Sequence, residues 1–158
     1  MISITVLCVG TLKESWLREA YAEYEKRLSR YCRLTLTELP EARLPEEPSA
    51  AEIAAALEKE GKAILSACRG TVIAMCIEGK QYASEEFAQM IAGRGTAGES
   101  TLTFVIGSSF GLSDAVKNAA DMRFSMSKMT FTHQIARVLL AEQLYRAFQI
   151  STGGKYHK

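Results

Sequence analysis

The fold turns on one stretch, Thr101-Leu102-Thr103-Phe104-Val105-Ile106-Gly107-Ser108-Ser109-Phe110-Gly111-Leu112-Ser113-Asp114. Its first six residues are β-branched or apolar, as in a strand buried on both faces. The run breaks at Gly107–Gly111, and Ser113 then stands where a helix N-cap belongs, ahead of a helix over Asp114–Ala120. A strand entering a capped helix through a glycine turn is the joint of a β-α unit. Glycine lets backbone come close to a ligand, and a helix N-terminus presents unpaired N–H groups. The same residues also serve as an ordinary strand-to-helix turn. This turn is not a Gly-x-Gly-x-x-Gly fingerprint and no Gly-Lys-Ser/Thr follows it, so neither dinucleotide nor phosphate-loop binding is supported here.

The same alternation extends in both directions. Ile2–Val9 reads as a first strand, Glu14–Tyr31 as a helix, and Leu34–Leu39 as a strand alternating in period two. Pro40–Pro48 holds all three prolines and is a loop. Ser49 with Glu52 forms a capping box for a helix over Ala50–Cys68, interrupted in pattern by Gly61. Thr71–Ile77 is a buried strand, Ser84 caps a helix over Glu85–Ala92, and Gly93–Gly98 is a connection. After Asp114–Ala120 come a short strand near Arg123–Met126, a helix over Thr132–Ile150 and a polar tail, Ser151–Lys158. Strands alternating with helices predict an α/β fold with a mostly parallel sheet, in one domain over 1–158. Ligands of such sheets bind beyond the carboxyl ends of strands. That directs attention to the positions after Ile77, Ile106 and Met126.

The bulk properties narrow the class. A chain of 158 residues that is 47% hydrophobic and 23% charged can bury one core and is not disordered. No uninterrupted apolar run reaches the length of a membrane span, and the N-terminus lacks a basic lead, so a cytoplasmic protein is expected. Cys8, Cys32, Cys68 and Cys76 include no Cys-x-x-Cys pair, which argues against a metal or a disulfide framework. Cys8 and Cys76 lie in apolar runs and read as small hydrophobes. Net charge is only +1, but its distribution is uneven. Residues 38–60 are acidic, whereas from Arg123 to Lys158 six Lys or Arg residues oppose only Glu142. A polyanion can meet that basic end.

Two further stretches carry candidate chemistry. In Phe124-Ser125-Met126-Ser127-Lys128-Met129-Thr130-Phe131-Thr132-His133, hydroxyls interleave with Met and Phe before a helix. That mixture suits a pocket with apolar walls and a few polar contacts, and equally a core strand followed by an N-cap. The last helix carries His133, Arg137, Glu142, Gln143, Tyr145 and Arg146 at helical spacings, and the chain ends Lys155-Tyr156-His157-Lys158. An aromatic ring, an imidazole and two ammonium groups can stack on a base, contact phosphate and relay a proton; a plain basic end is the alternative.

Taken together, Ile106-Gly107 with Gly111-Leu112, Ser125 to Phe131, His133…Arg137-Val138…Glu142-Gln143…Tyr145-Arg146-Ala147 and the terminal Tyr156-His157-Lys158 resemble the ribosomal RNA large subunit methyltransferase H family. Val9-Gly10 and Ile77-Glu78-Gly79-Lys80 fit as well, so the resemblance spans the chain. It implies a SPOUT α/β fold with a C-terminal trefoil knot, a feature otherwise almost absent from proteins. It also implies a homodimer that methylates N3 of a pseudouridine in large-subunit (23S) rRNA on the assembled ribosome, with no metal. S-adenosyl-L-methionine would be the cofactor, held by Met75, Gly107, Met126, Ser127, Lys128, Met129, Thr130 and Phe131. The candidates for the reacting end are Tyr156 and His157, and those for substrate RNA are His133, Arg137, Arg146 and Lys158. Two departures stand out: Ser108 replaces a second glycine, which narrows the turn if φ must be positive there, and Thr132 replaces a proline. A ribosome-binding protein without catalysis and a tRNA methyltransferase are the alternatives that the same fold allows.

Overall fold

The computed structural model describes residues 1–158. Along the chain run β1 (Ile2–Val9), α1 (Ser15–Leu28), β2 (Cys32–Leu39), α2 (Ala50–Ala67), β3 (Thr71–Gln81), α3 (Ser84–Thr96), β4 (Thr101–Ile106), α4 (Asp114–Ala119), β5 (Met122–Ser125) and α5 (His133–Ser151). The strands form one sheet in the order β2-β1-β4-β3-β5, every pair parallel. The expected α/β class with a parallel sheet is what the chain adopts.

Side chains alternate across the sheet and divide the core in two. Ile4, Val6, Cys8, Ile73 and Phe104 pack with Phe87, Leu140 and Leu144 on the face covered by α3 and α5. Leu7, Val9, Ala74 and Val105 pack with Ile64, Leu112 and Val116 on the face covered by α2 and α4. Leu17 and Tyr21 seal α1 against Ala141 of α5. β1 and β4 are therefore covered on both sides, which explains their unbroken apolar sequences.

The element boundaries differ from expectation where tertiary contacts decide. α1 ends at Leu28 and is capped by Ser29, whose N–H still donates to Glu25 O (3.1 Å) and whose hydroxyl donates to Lys26 O (2.7 Å), before Tyr31 N–H turns onto Leu28 O (2.8 Å). Ser84 is the first residue of α3, not its cap; its hydroxyl donates to Gln143 Oε1 (2.9 Å) and ties α3 to α5. α3 also continues through Gly93 and Gly95 to Thr96. Each glycine there weakens the helix by about 1 kcal/mol, but Thr96 bonds the Ala92 and Gly93 carbonyls and Arg94 is held by Glu99 at 2.8 Å. Gly61 does not interrupt α2. A Cβ at that position would lie 2.6 Å from Ser113 Oγ, so glycine lets α2 pack directly on the N-cap of α4.

β3 holds the least expected feature. Met75 and Lys80 both pair in register with Phe124 of β5, so Cys76–Gly79 leaves the ladder and returns to it around one residue. Gly79 makes the approach possible, since a Cβ there would stand 2.7 Å from the backbone of Arg123 and Phe124.

Candidate functional site

The carboxyl ends of β4 and β5 and the excursion within β3 converge on a cavity of about 700 Å³. Its walls come from Met75–Glu78, from Ile106–Gly111, and from Phe124–Ser127 with Met129–His133. Ala136 of α5 and Lys117 of α4 complete it. Two of these walls are strand ends that the sheet rule selected, after Ile106 and near Met126. The third, expected where a strand ends at Ile77, lies within β3 instead, which runs on to Gln81 and leaves its ladder over Cys76–Gly79. A volume of this size accommodates a nucleoside-sized ligand.

The Gly107 turn is built by its own backbone. Gly111 N–H donates to Ser108 O (2.8 Å), and Gly111 takes φ +82°. A Cβ on Gly107 would overlap the Gly111 carbonyl, so the glycine is required by the folding back of the turn on itself. Ser108 does not have positive φ and is not strained. Its hydroxyl donates to Glu60 Oε1 (2.9 Å), away from the cavity. The departure from a second glycine is thus absorbed without narrowing the turn. Thr132 acts as the N-cap of α5, accepting from Ile135 N–H at 3.2 Å.

In the loop after β5, Ser125 donates to Ser127 O (3.0 Å) and Met129 N–H to Ser127 Oγ (3.0 Å). The backbone N–H groups of Met126, Ser127, Lys128, Thr130 and Phe131 donate to no protein group. Because loops that close on a cavity normally satisfy such donors with a ligand or water, this segment is a ready hydrogen-bonding edge beside apolar Met126, Met129 and Phe131. Met75, Gly107, Met126, Ser127, Met129, Thr130, Phe131 and His133 all line the cavity. Lys128 does not; it is exposed and turned outward from the loop.

His133, at the start of α5, also borders a second groove of about 500 Å³, formed with Gly10, Thr11, Lys13, Glu38, Pro40, Glu41 and Gln134. Burial, with the nearby charge of Arg137, pushes the His133 imidazole below its usual range and keeps it neutral at neutral pH.

Arg137 requires correction. It is fully buried, donating to Glu38 Oε2 (2.9 Å) and to the carbonyls of Val9 (3.2 Å) and Gly10 (2.9 Å). Glu38 Oε2 also accepts Leu12 N–H at 2.9 Å. The guanidinium pins the ends of β1 and β2 to α5 and is not offered to a phosphate. Arg137→Met should destabilise the protein by about 3 kcal/mol, because three acceptors lose their donor. The measurement is the denaturation midpoint.

Tyr156 and His157 do not reach the cavity of their own chain. Tyr156 donates to Glu142 Oε1 (3.0 Å), which also takes Arg146 Nη2 at 2.6 Å. Arg146 Nη1 meets His157 Nδ1 (3.2 Å), and His157 Nε2 meets Glu85 Oε1 (2.8 Å). Since arginine only donates, Nδ1 accepts and Nε2 carries the proton. Burial and hydrogen bonds to Tyr24 and Glu142 push the Tyr156 hydroxyl upward, so it stays protonated. The tail is therefore an ordered lattice on α3 and α5, with only Lys155 and Lys158 exposed among Lys155–Lys158.

Sequence reasoning missed Cys76, Glu78, Phe110 and Lys117 as wall residues. Cys76 is half-buried on the cavity wall, unlike core Cys8, whose thiol burial pushes up to about 12. Glu78 pairs with Lys117 across the mouth, and only the former lay in a quoted motif. No group of three potential metal-ligating side chains is present, and no helix is long and apolar enough to cross a membrane.

A family model described as predicted SPOUT methyltransferase matches residues 2–157. The ribosomal RNA large subunit methyltransferase H of Clostridium acetobutylicum is 48% identical over 99% of this chain and the whole of that protein. Its namesake from Lactobacillus acidophilus is likewise 48% identical over the same shares. Among solved structures, a probable methylase family protein from Haemophilus influenzae Rd KW20 superposes with TM-score 0.55 at 15% identity, covering 98% of this chain and 70% of that one. A tRNA (m1G37) methyltransferase from Aquifex aeolicus gives TM-score 0.53 at 12% identity, covering 92% and 69%. At those identities the likeness concerns the fold alone.

Proposed function

Since the chain belongs to the ribosomal RNA large subunit methyltransferase H family of SPOUT methyltransferases, we propose that it methylates N3 of a pseudouridine in 23S rRNA, using S-adenosyl-L-methionine, on the assembled ribosome in the cytoplasm. The observation that carries this reading is the cavity at the ends of β4 and β5 beside the β3 excursion, with a glycine turn on one wall and unspent backbone donors on another. That lining fits the cofactor. Met126, Met129 and Phe131 offer apolar faces to a purine, and the free N–H groups between Met126 and Phe131 offer donors to its edge. When bound, S-adenosylmethionine supplies a methyl group already activated by a sulfonium, so no metal is needed.

The remaining work falls to the chain. The Gly107–Gly111 turn and the Met126–Phe131 loop fix the methyl donor, and positioning of this kind removes several kcal/mol of barrier, about 7 at the least when alignment is good. The uracil imide must lose its N3 proton, which a nearby neutral imidazole or a cation assists. His133, neutral and lining both the cavity and the second groove, is the candidate for that assistance. Tyr156, His157, Arg146 and Lys158 form the RNA-facing set, and Lys128 joins them as an exposed cation.

Because the tail of one chain lies outside its own cavity, a homodimer supplies what a single chain lacks. Ile77, Phe110, Met129 and Phe131, all lining the cavity, are 50%, 46%, 73% and 42% exposed. Such apolar exposure at the mouth favours a partner surface there. The trefoil threading implied for the family would engage the Cys76–Gly79 excursion around β5.

The test is transfer of labelled methyl from S-adenosylmethionine to ribosomes lacking the modification, with the nucleoside identified by mass. Methylated pseudouridine in 23S rRNA is the expected product. Ribosome binding without transfer would favour the non-catalytic reading, and methylated tRNA would move the substrate class.

A further inference from the structure

Glu60 is an ionisable side chain in an unexpected place. It lies in α2, is only 5% exposed, and pairs with no cation. A buried lone carboxylate is costly unless hydrogen bonds satisfy it. Here both oxygens accept: Oε1 from Ser108 Oγ at 2.9 Å, and Oε2 from Ala42 N–H at 2.9 Å. Ser108 lines the large cavity. Ala42 follows Pro40 and Glu41, which line the second groove. One rigid carboxylate thus holds the wall of one cavity and the rim of the other. The neighbouring Gly61 packs beneath Ser113 Oγ, so α2 grips the turn at its far end too.

We infer that Glu60 is a positioning residue that couples the two cavities, so that a ligand held on the Ser108 turn orders the Pro40–Ala42 rim of the neighbouring groove through the Ser108–Glu60–Ala42 chain of hydrogen bonds. The inference rests on the large cavity being the cofactor site. Fixing Ser108 from the cavity side fixes the carboxylate, which strengthens its grip on Ala42 N–H. Cofactor binding then prepares the groove that borders His133, and substrate meets a better-formed surface after the cofactor than before it. The coupling is reciprocal, as any linkage between two sites must be.

Ser108→Ala severs the chain at one bond while leaving Glu60 and its bond to Ala42 in place. The experiment is hydrogen exchange read by mass on a peptide spanning Ala42, for wild type and Ser108→Ala, with and without saturating S-adenosylmethionine. Calorimetry on the same samples establishes occupancy. Wild type should show the Ala42 amide exchanging at least about tenfold more slowly with cofactor bound. In Ser108→Ala, cofactor should bind with an affinity lowered several-fold, and at full occupancy should leave Ala42 exchange unchanged. Equal protection in the two proteins would overturn the coupling, as would no protection in cofactor-bound wild type. Failure of wild type to bind S-adenosylmethionine would instead overturn the cofactor assignment, so the two failures are told apart. A purely structural role for Glu60 predicts faster exchange in the variant at all ligand levels, with protection by cofactor retained.

Discussion

Gly107→Val is expected to reduce S-adenosylmethionine affinity by about 100-fold or more, equivalent to at least about 2.7 kcal/mol of binding free energy. The reason lies in the turn. A Cβ at Gly107 occupies the place of the Gly111 carbonyl, so any side chain forces Ser108–Gly111 outward and dismantles the wall between β4 and α4. Gly107→Ala should already show most of the loss, because the overlap begins at the first carbon. Calorimetric titration measures the effect, and circular dichroism controls for folding. Undiminished affinity in the valine variant would place the cofactor away from this turn.

Removing Tyr156–Lys158 is expected to have the opposite signature. Neither Tyr156 nor His157 lines the cavity of its own chain, so cofactor affinity should stay within about twofold while methyl transfer falls by about 100-fold or more. The tail's contacts with Glu142, Arg146 and Glu85 lie on partly exposed surfaces of α3 and α5, and their loss should cost little stability. The measurement pairs calorimetry with methyl transfer to ribosomes lacking the modification. Normal turnover by the shortened chain would reduce the tail to a plain basic end. Within a dimer, mixing shortened chains with an Arg146→Ala chain further separates contacts made within a chain from those made across it.

The sheet was legible because β1 and β4 are covered on both faces and have few polar residues to confuse the pattern. The cavity was legible for a related reason: strand ends are marked by glycine and serine, and a parallel sheet gathers ligands at its carboxyl edge. Arg137 shows where periodicity stops. Its spacing from His133 places both on related faces of α5, but spacing cannot reveal that Glu38 and two carbonyls wait beneath it. Glu60 is similar. In sequence it is one acid in an acidic run; in the fold it is the buried partner of Ser108. The Cys76–Gly79 excursion left no trace beyond Gly79, since nothing local distinguishes a strand that detours around a neighbour from one that simply ends.

That detour bears on how the protein comes into being. The walls of the cavity belong to three segments far apart in the chain, and the last of them is in place only when β5 has paired with β3 on both sides of the excursion. Such distant pairing forms late, since the connecting chain must be ordered before the contact can be made. A chain still emerging from synthesis, or one cut short before Met122, possesses two walls and no chamber. The chamber therefore arises in one step, with the pairing of the last strand.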